Sequence, residues 1–165
     1  LCPYYRKFIE DFAMIAKPLH PITQKDISLI WNKNCQDAFE LLKKKLTFVP
    51  LLTVALPNLP YIPDNDALEF AIGSTLSQVP NGEEKVVAYY SEYLNHSEKN
   101  YCVTRKEVLA MVDSVRNFHQ YLIGSEFSIR MDHIALNWLL SFKNPGQMAR
   151  WLGSLFVYKF QIKGG

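Results

Sequence analysis

Two carboxylates close a short extended run in Tyr61–Gln78, which reads Tyr-Ile-Pro-Asp-Asn-Asp-Ala-Leu-Glu-Phe-Ala-Ile-Gly-Ser-Thr-Leu-Ser-Gln. Side chains alternate faces along a strand, so Asp64 and Asp66 share a face with Ile62. An acid at the end of a central strand coordinates a cation or faces a polar cleft. Asp66 is therefore the candidate first ligand of a metal site, and Asp64 is its rival on the same strand. The plainer alternative is a turn residue closing the strand. Other ligand chemistries have less support. Cys2, Cys35 and Cys102 lack metal-ligand spacing and read as ordinary thiols in a reducing compartment. His20, His96 and His119 show no metal spacing. No Gly-rich phosphate loop of Walker type is present.

The elements that must position these acids follow from periodicity. Tyr5, Phe8, Ile9, Phe12, Ile15 and Ala16 recur at helical spacing and predict an amphipathic helix over 3–17, ended by Pro18 and Pro21. Residues 27–31 read as a short extended piece. Asn34, with Asp37 three residues on, is a candidate N-cap for a helix over 35–46 that turns Ala38, Leu41, Leu42 and Leu46 inward. Lys43, Lys44 and Lys45 then sit in its last turn, where they complement the helix dipole or meet phosphates. Pro50, Pro57 and Pro60 mark a linker over 51–60. Strands follow over 61–67 and 69–78, then a Pro80-Asn81-Gly82 turn and a third strand over 85–94, an antiparallel meander. Thr104 opens a long helix to about 122, stopped by Gly124. Phe127 to Met131 alternates as a strand and ends at Asp132. Short helices over 133–141 and 144–156, the second started by Asn144 and Pro145, precede a last strand at 160–162. This order is α/β with a mixed sheet.

Composition bounds the rest. The chain has 165 residues, 48% of them apolar, which is globular rather than disordered. No apolar run approaches the roughly 20 residues that cross a bilayer. The chain begins with Leu1 and ends in Gly164-Gly165, which reads as a fragment or processed piece. Residues 1–50 carry eight Lys/Arg against five Asp/Glu, a balance of +3; residues 51–165 carry ten against eleven, −1. A net charge of +2 does not by itself imply nucleic-acid binding.

Asp64-Asn65-Asp66-Ala67-Leu68-Glu69-Phe70-Ala71-Ile72-Gly73, with Ser74-Thr75-Leu76-Ser77-Gln78 after it, resembles the start of the ribonuclease H domain in the polymerase polyprotein of gypsy-type LTR retrotransposons. Tyr4-Tyr5-Arg6-Lys7-Phe8-Ile9, Ala16-Lys17-Pro18-Leu19, Trp31 and Ala38-Phe39 are similar to the thumb-side end of the reverse transcriptase in the same polyprotein. The polymerase's Tyr-x-Asp-Asp motif is absent. The resemblance implies three domains or segments: a thumb-like helical end over 1–50, a linker over 51–60, and a ribonuclease H-like domain over 61–165, incomplete at its C-terminus. It implies a mixed five-stranded sheet flanked by helices and preceded by a small helical segment. It also implies an intracellular setting, cytoplasmic or nuclear, an RNA–DNA hybrid as partner, and an upstream polymerase region.

The family's metal site has an acid on the first strand, one on the long helix and one at the end of the fourth strand. On the matching motifs these are Asp66, Glu107 in Thr104-Arg105-Lys106-Glu107-Val108-Leu109-Ala110, and Asp132 in Arg130-Met131-Asp132-His133-Ile134-Ala135-Leu136. They would be the catalytic residues and the ligands of Mg²⁺, with Mn²⁺ as a substitute. Mg²⁺ is hard and takes carboxylate oxygens and water. Each acid has a plainer role as well. Thr104-x-x-Glu107 is a capping box, and Asp132 precedes a helix it could cap. Arg105, Lys106 and His133, and Tyr101 beside them, are candidate nucleic-acid contacts or merely a solvated face. Trp138 and Trp151 read as core. The sequence departs from the family at Asn65 and Leu68, where Thr and Ser are usual, and at Pro145-Gly146-Gln147, which is one residue short. Gly153 and Phe156-Val157 stand where charges are usual. The family's fourth acid falls beyond Gly165. Two functions follow: a metal-dependent nuclease cutting the RNA strand of hybrids, or a decayed module that keeps the fold and a structural or nucleic-acid-binding role. A third reading makes residues 1–50 a tether.

Overall fold

The computed structural model of the chain describes residues 3–23, 30–47, 52–131, 134, 135, 137 and 146–164. Five strands form one sheet: β1 (Ile62–Ala67), β2 (Ala71–Gln78), β3 (Lys85–Tyr93), β4 (Glu126–Met131) and β5 (Lys159–Gly164), in the order β3-β2-β1-β4-β5. The pairs β1–β2 and β2–β3 are antiparallel, and β1–β4 and β4–β5 are parallel. The helices are α1 (Phe12–Ala16), α2 (Lys33–Thr47), α3 (His96–Lys99), α4 (Val103–Asn117), α5 (His119–Leu122) and α6 (Gln147–Leu155). The expected mixed α/β sheet flanked by helices is thus the architecture found.

Alternation along the strands sets the faces. On β1, Pro63, Asn65 and Ala67 turn toward α4, while Ile62, Asp64 and Asp66 lie on the other face. The stripe Val108, Met111, Val112 and Val115 of α4 is fully buried in one core with Ile72, Leu76, Phe127 and Ile129. Trp151 belongs to the same core, as its helical spacing implied; Trp138 lies outside the described residues. A second core, Ile9, Phe12, Leu19, Cys35, Ala38 and Leu42, lies within the N-terminal helices. This segment docks on β3. The Ala13 amide donates to Ser91 Oγ at 3.0 Å, and the Arg6 guanidinium donates to Ser91 O at 3.0 Å and pairs with Glu92 at 2.9 Å.

Residues 52–60 are tied down by side chain and backbone. Gln78 is 0% exposed. Its Nε2 donates to Leu56 O at 2.9 Å and Leu59 O at 2.8 Å, and its Oε1 accepts from Leu56 N at 2.8 Å. Thr53 N adds a bond to Val86 O at 2.7 Å.

Several expected boundaries move. The helix over 3–17 is broken into a 3-10 segment, Pro3–Phe8, and α1, because Asp11 between them adopts φ 54°. Asp is among the few residues that tolerate that left-handed conformation. Asn32, not Asn34, caps α2: its Oδ1 accepts from Cys35 N at 3.0 Å, and Asn34 lies inside the helix. The long helix begins after Cys102 rather than at Thr104, and it breaks at Phe118, whose buried ring packs edge-on to Tyr90. One further helix, α3, lies outside the expected elements although its signature is plain. Asn95 Oδ1 accepts from the amides of Ser97 and Glu98, and Glu98 Oε2 accepts from Asn95 N, a complete capping box. Ile134, Ala135 and Asn137 are helical, while the rest of the helix expected over 133–141 lies outside the described residues. So do residues 27–29 of the expected extended piece, and Asn144 and Pro145; α6 starts at Gln147. The last strand is longer than expected, from Lys159 to Gly164.

Candidate active site

Asp66 stands at the next-to-last position of β1 and is exposed. Glu107 lies more than a turn inside α4 and is half-buried. They line one cleft of about 70 Å³ together with Asn65, Ala67, Arg130 and Met131. Two contacts fix α4 against β1 there. Lys106 Nζ donates to Glu69 O, in the β1–β2 turn, at 3.0 Å. Ser114 Oγ meets the Asn65 side-chain amide and lies 2.9 Å from Met111 O. A hydroxyl has one hydrogen. Directed at Asn65 Oδ1, it leaves Asn65 Nδ2 a buried polar atom without a hydrogen-bond partner among the described residues.

The structure separates the competing readings of these residues. Thr104 is interior to α4, whose N-cap, Cys102, carries no side-chain capping bond, so Thr104-x-x-Glu107 does not act as a capping box. Lys106 was expected among the nucleic-acid contacts; it is 9% exposed and its ammonium holds the turn at Glu69, an anchoring role. Arg105 lays its guanidinium 3.8 Å from the Tyr101 ring centroid. Asp132 and His133 lie outside the described residues; Met131, which precedes Asp132, lines the cleft. Among the described residues no three His, Cys, Asp or Glu side chains form a metal-holding group. His20 lines a cavity among the N-terminal helices, His96 opens α3, and His119 Nδ1 lies 2.7 Å from the Tyr158 hydroxyl. Leu68, where the family resemblance implied a hydroxyl, is 38% exposed.

The sequence pattern alone did not single out a charged network on the open face. Arg130 pairs in register with Asp64 across β4 and β1. Its guanidinium grips Glu84 through two bonds, 3.0 and 2.9 Å, and reaches Asp64 at 3.4 Å. Ser77 Oγ donates to Glu84 Oε1 at 2.6 Å. Alternation shows Arg130 as a polar position of its strand, but not which strands it meets. The hydrogen bond from Arg130, and then that from Ser77, hold the Glu84 carboxyl below its ordinary 4.5. A depressed carboxyl pKa adds stability above the unfolded value, and this is lost as pH falls through the folded value. The Glu84 side chain is 41% exposed, so solvent screening limits the contribution to about 1 kcal/mol or less. Glu84→Gln should therefore melt slightly below the parent at neutral pH. The gap should close well below pH 4.5, as read by thermal denaturation at the two conditions.

The sequence profile of the RNase H-like domain found in reverse transcriptase matches residues 57–158. The chain belongs to that family. This RNase H-like chain is 37% identical over 164 residues to the retrovirus-related Pol polyprotein from transposon 297 of Drosophila melanogaster, with 98% of the chain and 15% of the relative covered. It is 31% identical to the corresponding polyprotein of transposon 412 from the same fly, covering 98% and 13%. It is 30% identical to the enzymatic polyprotein of carnation etched ring virus, covering 97% and 25%. The chain thus spans a quarter or less of these relatives. Among solved structures, the foamy viral protease-reverse transcriptase in complex with dsDNA superposes with a TM-score of 0.82 at 17% identity, over 98% of this chain and 35% of that one. The same protein in complex with an RNA/DNA hybrid gives 0.77 at 17% identity, over 98% and 23%. These likenesses extend the shared fold across the N-terminal helices as well as the sheet. Among the described residues no helix is long and apolar enough to cross a membrane.

Proposed function

We propose that this RNase H-like domain is the ribonuclease H of a gypsy-type retrotransposon reverse transcriptase, hydrolysing the RNA strand of RNA–DNA hybrids in the cytoplasm or nucleus. The observation that carries the reading is that Asp66 and Glu107, far apart in sequence, line one cleft at the end of β1, next to Met131. Asp132 follows Met131 in the chain and supplies the third carboxylate of the proposed site. All three donors are hard oxygens, which suit Mg²⁺, or Mn²⁺ in its place, rather than a thiophilic metal. When bound, the cation supplies positive charge for the oxygens of the reacting phosphate and acidifies the attacking water.

The chain's own residues prepare that site. Like-charged carboxylates in one cleft raise each other's energy until a cation neutralises them. The Lys106–Glu69 and Ser114–Asn65 contacts keep α4 and β1 in fixed relation, so Asp66 and Glu107 do not have to be gathered for each turnover. Arg130, held by Glu84, is a stationary positive group on the cleft wall. Recognition of the hybrid would rest on duplex shape and 2′-hydroxyls rather than on sequence. An upstream polymerase region would be the physical partner in the polyprotein.

The test is cleavage of a hybrid labelled separately on each strand, with Mg²⁺ and with chelator. Cleavage confined to the RNA strand and abolished by chelator is expected. Cutting of both strands, or cutting that survives chelation, would remove the reading. The exposed Leu68 at the end of β1 favours one rival, a decayed module that keeps only the fold. Heat stability that does not respond to Mg²⁺ or Mn²⁺, together with no cleavage, would establish that rival.

A further inference from the structure

Four strand ends gather where the cleft lies, beside the first turns of α4. β1 ends there at Ala67, β2 begins at Ala71, β3 ends at Tyr93 and β4 ends at Met131, with Ala67 opposite Ile72 and Ala71 opposite Tyr93. The same end carries a row of cations laid on aromatic rings. Lys17, just after α1, places its ammonium 4.3 Å from the centroid of Phe70 in the β1–β2 turn and 5.8 Å from that of Tyr93. Lys99, at the end of α3, sits 4.3 Å from the Tyr93 centroid. Arg105 on Tyr101 continues the row to the start of α4.

Neither Lys17 nor Lys99 enters an ion pair among the described residues, although acids lie close by in sequence. Two of those acids are committed elsewhere. Glu92 pairs with Arg6, and Glu98 caps α3 through the Asn95 amide. The rings hold the ammoniums in place without cancelling their charge. The result is a fixed positive strip bordering an acidic cleft. It draws on the N-terminal helices as well as the sheet.

We infer that the Lys17–Phe70–Tyr93–Lys99 strip is a phosphate track that seats the backbone of the nucleic-acid duplex entering the cleft. A polyanion fits it by charge, and the carboxylate cleft beside it needs a substrate held from outside the acids. The inference rests on the nuclease reading for its ligand, but not for its measurement. Binding of a fluorescent RNA–DNA hybrid by the Asp66→Asn, Glu107→Gln protein is followed by anisotropy over a range of salt. Removing one lysine that neutralises a phosphate lowers the log–log salt slope by about one. Adding Lys17→Gln and Lys99→Gln should lower it by about two. The affinity gap to the background protein then closes by about sixteenfold when salt rises fourfold. Lys85→Gln with Lys159→Gln is the charge-matched control, since both residues begin strands at the opposite end of the sheet. The control should leave the slope in place. An unchanged slope in the strip variant, an equal fall in the control, or no hybrid binding by the background protein would overturn the track. A wild-type chain that binds through the strip yet never cuts would instead remove the nuclease reading and leave the track standing.

Discussion

Asp66→Asn should lower RNA-strand cleavage by about a thousandfold, and adding Glu107→Gln should cost little more. A divalent ion at a reacting phosphate contributes several kcal/mol to transition-state stabilisation. Losing about 4 kcal/mol of it is roughly a thousandfold in rate. The two acids line the same cleft, so they act as one unit and their losses do not add. A second readout separates a ligand role from a structural one. Asp66 is exposed, so its amide leaves packing intact, and relief of charge repulsion should leave the metal-free variant at least as stable as the parent. In Mg²⁺ the order should reverse, because only the parent gains stability from a bound cation. A double variant that still cuts the hybrid within tenfold of the parent would sink the assignment of the site.

The parts of this site differ in how well the sequence announces them. β4 shows in alternation, as a half-buried strand must to cover a core, while β2, buried on both faces, shows as a run closed by the Pro80-Asn81-Gly82 turn signal. Asp66 is visible as an acid at the end of a strand. Glu107 is visible only through its motif, since Thr104-x-x-Glu107 by itself points to a cap. The structure decides against that cap by starting α4 at Val103. The Arg130–Glu84–Ser77 network is harder to read. It joins β4, β2 and the start of β3, and nothing short-range encodes which strands become neighbours. Lys106 shows the converse failure: charge made it a substrate contact, but only tertiary packing reveals that its ammonium is buried against Glu69 O. The breaks at Asp11 and Phe118 also come from outside the local pattern, which is continuous through both positions. At Phe118 the buried ring packs edge-on to Tyr90 of β3. The docking of residues 3–23 on β3, through Ser91 and Arg6, is likewise a property of the folded pair.

Gln78 joins these levels and predicts the largest stability loss. In the motif it is only the last residue of a strand. In the fold its amide replaces a missing strand partner for residues 56–59, answering one N–H and two carbonyls. Gln78→Leu keeps the volume roughly and satisfies the apolar surroundings, but it leaves all three backbone groups without that partner. A buried group left unpaired costs roughly 1–3 kcal/mol. Leu56 is partly exposed, so part of the segment can turn to water. The net cost should be about 3 kcal/mol, or a fall in melting temperature of roughly 6–12 °C for a chain of this size. Residues 52–60 would lose their tie while β2 kept its ladder, so limited proteolysis should cut there first, ahead of any cut in the sheet. A variant that melts within about 2 °C of the parent, well short of the fall expected from the unpaired groups, and resists protease over 52–60 would show that Thr53, through Val86 O, holds the segment without Gln78.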